Sequence, residues 1–263
     1  MTGAETRWDP GRYQRFAQER AQPFRDLVAR LPEGPVRFAA DLGCGTGELT
    51  RELRARWPGA QIFGVDHSDE MLARVAAGPA DPELRFVRAD LGTWQPPHPL
   101  DRLVSNAALQ WVPDHGALLE RLASLLAPGG WLGVQVPNNY AEPAYRALAE
   151  LAASSRWAGR LAGARHPGVE SPDWYLTRLV ALGLDADVWE TTYIHRLPGP
   201  GAVVEWMEGT VLRPVLARLA PDEAAQFRAE LTARVAADHP VGPCGVLFHF
   251  RRIFFVARRG GDW

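Results

Sequence analysis

Asp41-Leu42-Gly43-Cys44-Gly45-Thr46-Gly47 (DLGCGTG) lies between an apolar run, Val36–Ala40 (VRFAA), and the segment Glu48–Trp57 (ELTRELRARW), which is patterned as a helix. A glycine-rich turn between a strand and a helix lets a ligand approach the backbone closely. A dinucleotide fingerprint reads G-x-G-x-x-G. Here the order is D-x-G-x-G-x-G, from Asp41, Gly43, Gly45 and Gly47. The spacing does not fit a pyrophosphate. A carboxylate at the strand end would repel phosphate and attract an ammonium group.

The pattern outward from this turn alternates strands with helices. Strands are expected at Val36–Leu42, Gln61–Asp66, Leu84–Ala89, Asp101–Asn106 and Trp131–Val136, with helices at Glu48–Trp57, Ser68–Ala77 and Ala117–Leu126. Apolar strands separated by amphipathic helices imply parallel βαβ units with right-handed crossovers. Such a sheet is covered on both faces and binds ligands at the carboxyl ends of its strands. Before the first strand, Asp9-Pro10 marks a helix start that runs through Tyr13 and Phe16, and Pro23 restarts a second helix.

The second half reads differently. Helices are expected over Glu142–Trp157 and from Ser171-Pro172 to Gly183, and strands over Asp187–Leu197 and Val246–Ala257. Two helical patterns, near Ala202–Gly209 and Pro221–Ala237, fill the long interval between those strands. An antiparallel pair needs only a short hairpin, so an insertion of this length reads as a helical lid. The expected organisation is one domain over 1–263. It has an N-terminal helical cap (1–34), a cofactor-binding half (35–137), and a substrate-side half (138–263) with the insertion at about 198–240.

Residues at successive strand ends extend the candidate site. Asp66 follows the glycines by about twenty positions, where an acid can take ribose hydroxyls. Asp90 follows the third strand, where its carboxylate and the backbone N–H of Leu91 can read an adenine edge. Asn106 ends the fourth strand, beside the expected position of a reactive group. Asp and Asn are common turn and cap residues. Four such residues in register are a different matter, and together with the glycines they indicate S-adenosyl-L-methionine as the ligand.

The chain resembles the class I S-adenosylmethionine-dependent methyltransferases, and within them the trans-aconitate methyltransferase family. WDPGRYQRFAQER, FAADLGCGTG, ARWPGAQIFGVDHSDEML, SNAALQWVPDH, VQVPNNYAEPAY, DVWETTYIHRLPG, LRPVLARL and FRRIFFVAR carry the resemblance nearly end to end. It implies an α/β Rossmann-like seven-stranded sheet with an antiparallel last strand. It also implies methyl transfer to a carboxylate of trans-aconitate, giving a monomethyl ester. In such enzymes the positions of Met71 and Leu72 lie near the adenine, and His67 follows the ribose-binding acid. The cofactor motifs contain no broken position.

This chemistry asks little of side chains. A carboxylic acid with a pKa near 4 is already ionised at neutral pH and is its own nucleophile. No catalytic residue is expected, only alignment. A tricarboxylate needs cations, and Arg grips carboxylates bidentately. Arg20, Arg213 and Arg252 are the candidates for the acceptor, beside Arg196 and Arg251. Strand alternation puts Arg251 and Arg252 on opposite faces. Trp111, in NAALQW, would wall the pocket or face the sulfonium. Tyr193 shares a strand face with His195, which is read as structural. A carboxyl methyltransferase acting on another small acid or a carrier-bound malonyl group, or a natural-product methyltransferase, would use the same cofactor half.

Composition narrows the class. With 263 residues, 46% hydrophobic and 23% charged, the chain can bury a core. All 29 basic residues are Arg, and the net charge is −2. That balance and the absence of an NPPY-like turn disfavour nucleic acid as a partner. Cys44 and Cys244 form no metal-binding spacing, so no metal is expected. No apolar run reaches the roughly 18 residues of a membrane span. A cytoplasmic enzyme acting on a small polycarboxylate, with no membrane partner, is the expectation.

Overall fold

The computed structural model describes residues 17–75, 81–162 and 168–260. The helix expected at Tyr13 and Phe16, the side chain of Arg20, and the last residues of the helix expected to reach Ala77 lie outside the described residues. Within them the chain forms two compact units. One comprises 21–75, 81–137, 168–191 and 252–260, and the other 17–20, 138–162 and 192–251.

Helix α1 (Ala17–Ala29) enters the first unit at Ala21, and the alternating series follows. Strand β1 (Phe38–Leu42) leads through the glycine turn into α2 (Glu48–Arg56). There follow β2 (Gln61–Asp66), α3 (Asp69–Val75), β3 (Leu84–Arg88), β4 (Leu100–Asn106), a 3₁₀ turn (Leu109–Trp111), α4 (His115–Leu125) and β5 (Leu126–Pro137). The later elements are α5 (Pro143–Ala153), α6 (Ala158–Leu161), α7 (Pro172–Ala181), β6 (Leu184–Leu197), α8 (Pro200–Glu208), α9 (Arg213–Leu216), α10 (Pro221–Asp238) and β7 (Val246–Arg259).

The strands form one seven-stranded sheet in the order β3-β2-β1-β4-β5-β7-β6. β1 pairs in parallel with both β2 and β4, so the order reverses direction at β1. That is the switch point at which doubly wound sheets bind ligands. β7 runs antiparallel to β5, with Gln135 opposite Phe254 and Pro137 opposite Arg252. The seven strands and the antiparallel last strand match the sequence reading.

Several boundaries differ from expectation. β5 begins at Leu126 rather than Trp131, because Leu126 pairs with Leu100 around an irregularity that precedes Arg102. The helix expected over Glu142–Trp157 stops at Ala153, where the Ser154 hydroxyl donates to the Leu151 carbonyl at 2.7 Å. Serine competes with the helical backbone in this way. The short α9 lies in the insertion, where no pattern announced it.

Each unit has its own apolar core. In the first, Leu42, Leu103, Val134, Val136 and Phe255 of the central strands pack with Leu118, Leu119 and Leu122 of α4 and Leu179 of α7. In the second, Trp157, Trp206, Phe227, Phe248 and Phe250 dominate. There the Trp157 indole donates to Glu230 at 3.0 Å, and its ring meets Phe227 edge-on. No helix among the described residues is long and apolar enough to cross a membrane, and no group of three His, Cys, Asp or Glu is placed to hold a metal ion.

Candidate active site

The glycine turn is fixed from below before any ligand is considered. The N–H groups of Gly43 and Cys44 donate to the Val65 carbonyl at the end of β2, at 2.8 and 3.1 Å. The Ser105 hydroxyl of β4 donates to the Leu42 carbonyl at 2.8 Å. Gly43 adopts φ +78°, and a Cβ there would overlap the Cβ of Ala108. The turn after β1 and the turn after β4 therefore touch where only glycine fits.

Gly45 differs. Its φ is +55°, yet a Cβ there would meet nothing within 4 Å. The strand-end packing does not demand glycine here. An open face over a positive-φ residue leaves the backbone accessible to a ligand. Gly47 begins α2, and a Cβ there would press on Phe86 and Val75. Cys44 is buried, and burial pushes its thiol far above the ordinary range, so it serves as a small apolar filler.

Asp41 ends up almost wholly buried, with one carboxylate oxygen accepting the Thr50 hydroxyl of α2 at 2.6 Å. Desolvation pushes its pKa up to about 6; the Thr50 bond works against this, and the nearby Asp66 charge adds to it. Asp66 is bound on both oxygens. Oδ2 accepts the Gly45 N–H and Oδ1 the Ser68 N–H, each at 2.9 Å. His67 is exposed, with Nδ1 3.6 Å from Asp66, too long for a hydrogen bond. Met71 is half-buried one turn on, its N–H reaching Ser68 Oγ at 3.3 Å.

At the end of β3, Asp90 is exposed, and its Oδ1 accepts the Gly92 N–H at 2.7 Å, closing a tight turn. The Leu91 carbonyl accepts from Arg121 of α4, whose guanidinium also reaches the Trp94 carbonyl. Asn106 ends β4, and Ala107 after it takes a strained φ of +54°, with its N–H on the Gln135 carbonyl. Non-glycine residues in that region mark turns that the surroundings force. The Asn106 Oδ1 is buried and has no hydrogen-bond partner among the described residues. A buried acceptor in this state suits a donor brought by a ligand.

The turn after β4 carries Trp111, which is largely exposed. It is held by His115, whose Nε2 faces the Leu109 carbonyl at 2.9 Å. A carbonyl only accepts, so Nε2 carries the proton, and Nδ1 accepts from the Tyr175 hydroxyl at 2.5 Å.

Among the acceptor-side candidates, Arg252 is buried and Arg251 exposed, as alternation requires. Arg252 Nη1 donates to Gln135 Oε1 at 3.1 Å. Tyr193 and Arg213 belong to the other unit. Tyr193 is half-buried and parallel to His195, which itself stacks on Trp206 with centroids 4.5 Å apart. Arg213 is exposed at the start of α9. Thus the first unit brings together the glycine turn, Asp41, Asp66, Asn106 and, at the far side of β5, Arg252.

Sequence reasoning missed Gln135, Thr50 and Ser105. Thr50 sits in a charged helix and Ser105 in an apolar strand, and in neither does a lone hydroxyl give a signal. A glutamine flanked by valines in VQVP was the one available cue for Gln135.

The arrangement agrees with comparisons to known proteins. Residues 39–130, covering the glycine turn and the strand-end acids, match a family described as a methyltransferase domain. A phosphoethanolamine N-methyltransferase from Haemonchus contortus, solved with S-adenosyl-L-methionine, shares the fold at a TM-score of 0.55. It is 17% identical, and the match covers 91% of this chain and 52% of that one. A trans-aconitate 2-methyltransferase of Streptomyces avermitilis is 48% identical over 98% of this chain and 99% of its own. That of Streptomyces coelicolor is 49% identical over 98% of this chain and 89% of its own. Identity at this level, running past the cofactor half to both chain ends, places the chain in the trans-aconitate 2-methyltransferase family.

Proposed function

We propose that the protein transfers a methyl group from S-adenosyl-L-methionine to a carboxylate oxygen of trans-aconitate, giving a monomethyl ester. The observation that carries this reading is the near-full-length identity to trans-aconitate 2-methyltransferases, which includes the acceptor-side half as well as the glycine turn. S-adenosylmethionine supplies an electrophilic methyl on a sulfonium.

The cofactor-side roles in this reading are as follows. Gly43, Gly45 and Gly47 shape the turn, and Gly45 leaves the backbone open. Asp41 supplies negative charge beneath it for the ammonium group. Asp66 holds the turn while its remaining lone pairs take ribose hydroxyls. Asp90 and the Leu91 N–H read the adenine edge, and Met71 and His67 flank the adenosine. Asn106 offers its buried Oδ1 next to the transferring methyl.

The acceptor needs no general base, because its carboxylate is ionised at neutral pH. The protein's task is alignment and exclusion of water, which can supply roughly 7–11 kcal/mol. Within the first unit, the buried guanidinium of Arg252 answers an acceptor carboxylate, with Trp111 as an aromatic wall.

The test is methyl transfer from labelled S-adenosylmethionine to trans-aconitate, cis-aconitate, isopropylmalate-like acids and malonyl-carrier protein, with base-labile ester as readout. Preferential labelling of trans-aconitate is the expected result. Labelling of another acid in its place overturns the substrate, and cofactor binding without turnover on any acid overturns the activity.

A further inference from the structure

Gln135 is a fully buried polar side chain at the carboxyl end of the sheet, with no solvent exposure. It lies in register with Asn106 on β4 and with Phe254 on β7. Side chains at paired positions share a face, and Arg252, two residues before Phe254, shares it too. Arg252 Nη1 donates to Gln135 Oε1 at 3.1 Å. A guanidinium has only donors, so the oxygen of the amide must face it and the assignment of oxygen and nitrogen is forced. Nε2 is then the other end of the amide. It is buried and has no hydrogen-bond partner among the described residues.

A buried amide N–H without a partner costs free energy comparable to a lost hydrogen bond. Leucine or methionine would fill the position without that cost. The amide does two things neither could do. It fixes a buried guanidinium by its oxygen, and it holds out a neutral donor beside that cation. A fixed cation next to a neutral N–H suits a carboxylate, whose two oxygens take one donor each.

We propose that Gln135 is a carboxylate-recognition residue: its Nε2 donates to one carboxylate oxygen while its Oε1 holds the Arg252 guanidinium in place for the same group. The inference rests on the methyl-transfer reading above. A carboxylate reaches this enzyme from two sources, the acceptor acid and the amino-acid end of the cofactor. The experiment therefore separates the two sources.

The variant Gln135→Glu keeps an oxygen for Arg252 and replaces the donor by a second acceptor. A merely structural amide would tolerate this change, since the bond to Arg252 strengthens. Gln135→Met, of similar volume, removes both ends and serves if the glutamate variant does not fold. Three readouts on the full chain are KM and kcat for trans-aconitate, the Kd of S-adenosylhomocysteine, and the Kd of 5′-methylthioadenosine, which lacks the amino-acid end.

If the carboxylate is the acceptor's, KM rises about tenfold or more with both nucleoside constants unchanged. If it is the cofactor's, S-adenosylhomocysteine weakens about tenfold or more while 5′-methylthioadenosine does not. Either result supports the proposal. All three constants within twofold of wild type, in a folded variant, overturn it. Should the wild-type protein label no acid at all, the methyl-transfer reading fails by itself. The comparison of the two nucleosides then decides the role of Gln135.

Discussion

Asp66 holds Gly45: the carboxylate Oδ2 accepts the Gly45 N–H at 2.9 Å, and Oδ1 accepts the Ser68 N–H at the same distance. The residue read from sequence as a ribose ligand is thus also the clamp between the glycine turn and the start of α3. Its two roles separate experimentally. Asp66→Asn retains one acceptor and loses the other. It should weaken S-adenosylhomocysteine binding at least tenfold and destabilise the apoprotein by about 1–2 kcal/mol, the cost of one charge-assisted bond. Calorimetric titration and urea unfolding give the two numbers. Wild-type affinity in a destabilised variant would leave Asp66 as a clamp only.

Gly43 and Gly45 make a matched pair for a second test. Gly43→Ala drives a methyl into Ala108 at a positive φ, so the expected loss is at least 2–3 kcal/mol of stability, with binding lost alongside. Gly45→Ala meets open space and carries only the left-handed backbone penalty, about 1 kcal/mol. Its expected signature is a melting temperature lowered by only about 2–4 °C, with S-adenosylhomocysteine binding reduced at least tenfold. Normal binding by Gly45→Ala would remove that face from the ligand site.

The 3₁₀ turn that carries Trp111 depends on His115 and Tyr175. Tyr175→Phe removes the hydroxyl that donates to His115 Nδ1 and also meets the Glu170 N–H at 3.4 Å. A buried imidazole nitrogen then lacks its donor. The loss should be about 1–3 kcal/mol by urea unfolding. Because the affected loop follows Asn106, KM for the acceptor should rise more than the Kd of S-adenosylhomocysteine. An unchanged KM would confine this relay to stability.

The parallel half of the fold was legible in the sequence because its strands are continuous apolar runs ended by Asp41, Asp66 and Asn106. Burial on both faces erases alternation and leaves the ends as the signal. The glycines were legible as a motif, but their division of labour was not, since it depends on Ala108 and Phe86 arriving from distant segments. Alternation put Arg251 and Arg252 on opposite faces, but that Arg252 is the buried one is decided by the packing of β7. Gln135 was not found, because a single polar residue in VQVP becomes meaningful only when β7 brings Arg252 beside it. The break at Ser154 and the short α9 were hidden by good local helix formers around them, where tertiary packing decides.

Asp41 gives the enzyme a pH dependence of definite sign. Burial raises its folded pKa to about 6 from 3.8, so the native state binds this proton more tightly than the unfolded chain. Its favourable contribution is complete below the unfolded value and is lost as pH rises through about 6. About two decades of proton affinity correspond to about 3 kcal/mol. At pH 7.5 the apoprotein therefore carries a buried charge at a cost, in wait for a cation. Asp41→Asn keeps an oxygen for the Thr50 hydroxyl and removes the charge. It should raise the apoprotein's melting temperature at pH 7.5 and flatten its stability between pH 4 and 6. In wild type, S-adenosylhomocysteine should bind more tightly as pH climbs from 5 to 7, because its ammonium favours the ionised Asp41. In Asp41→Asn the affinity should be lower at pH 7.5 and flat across that range. Thermal unfolding and calorimetric titration across the pH series decide it: equal affinities in both proteins at every pH would mean that Asp41 shapes the turn without facing the cofactor's charge.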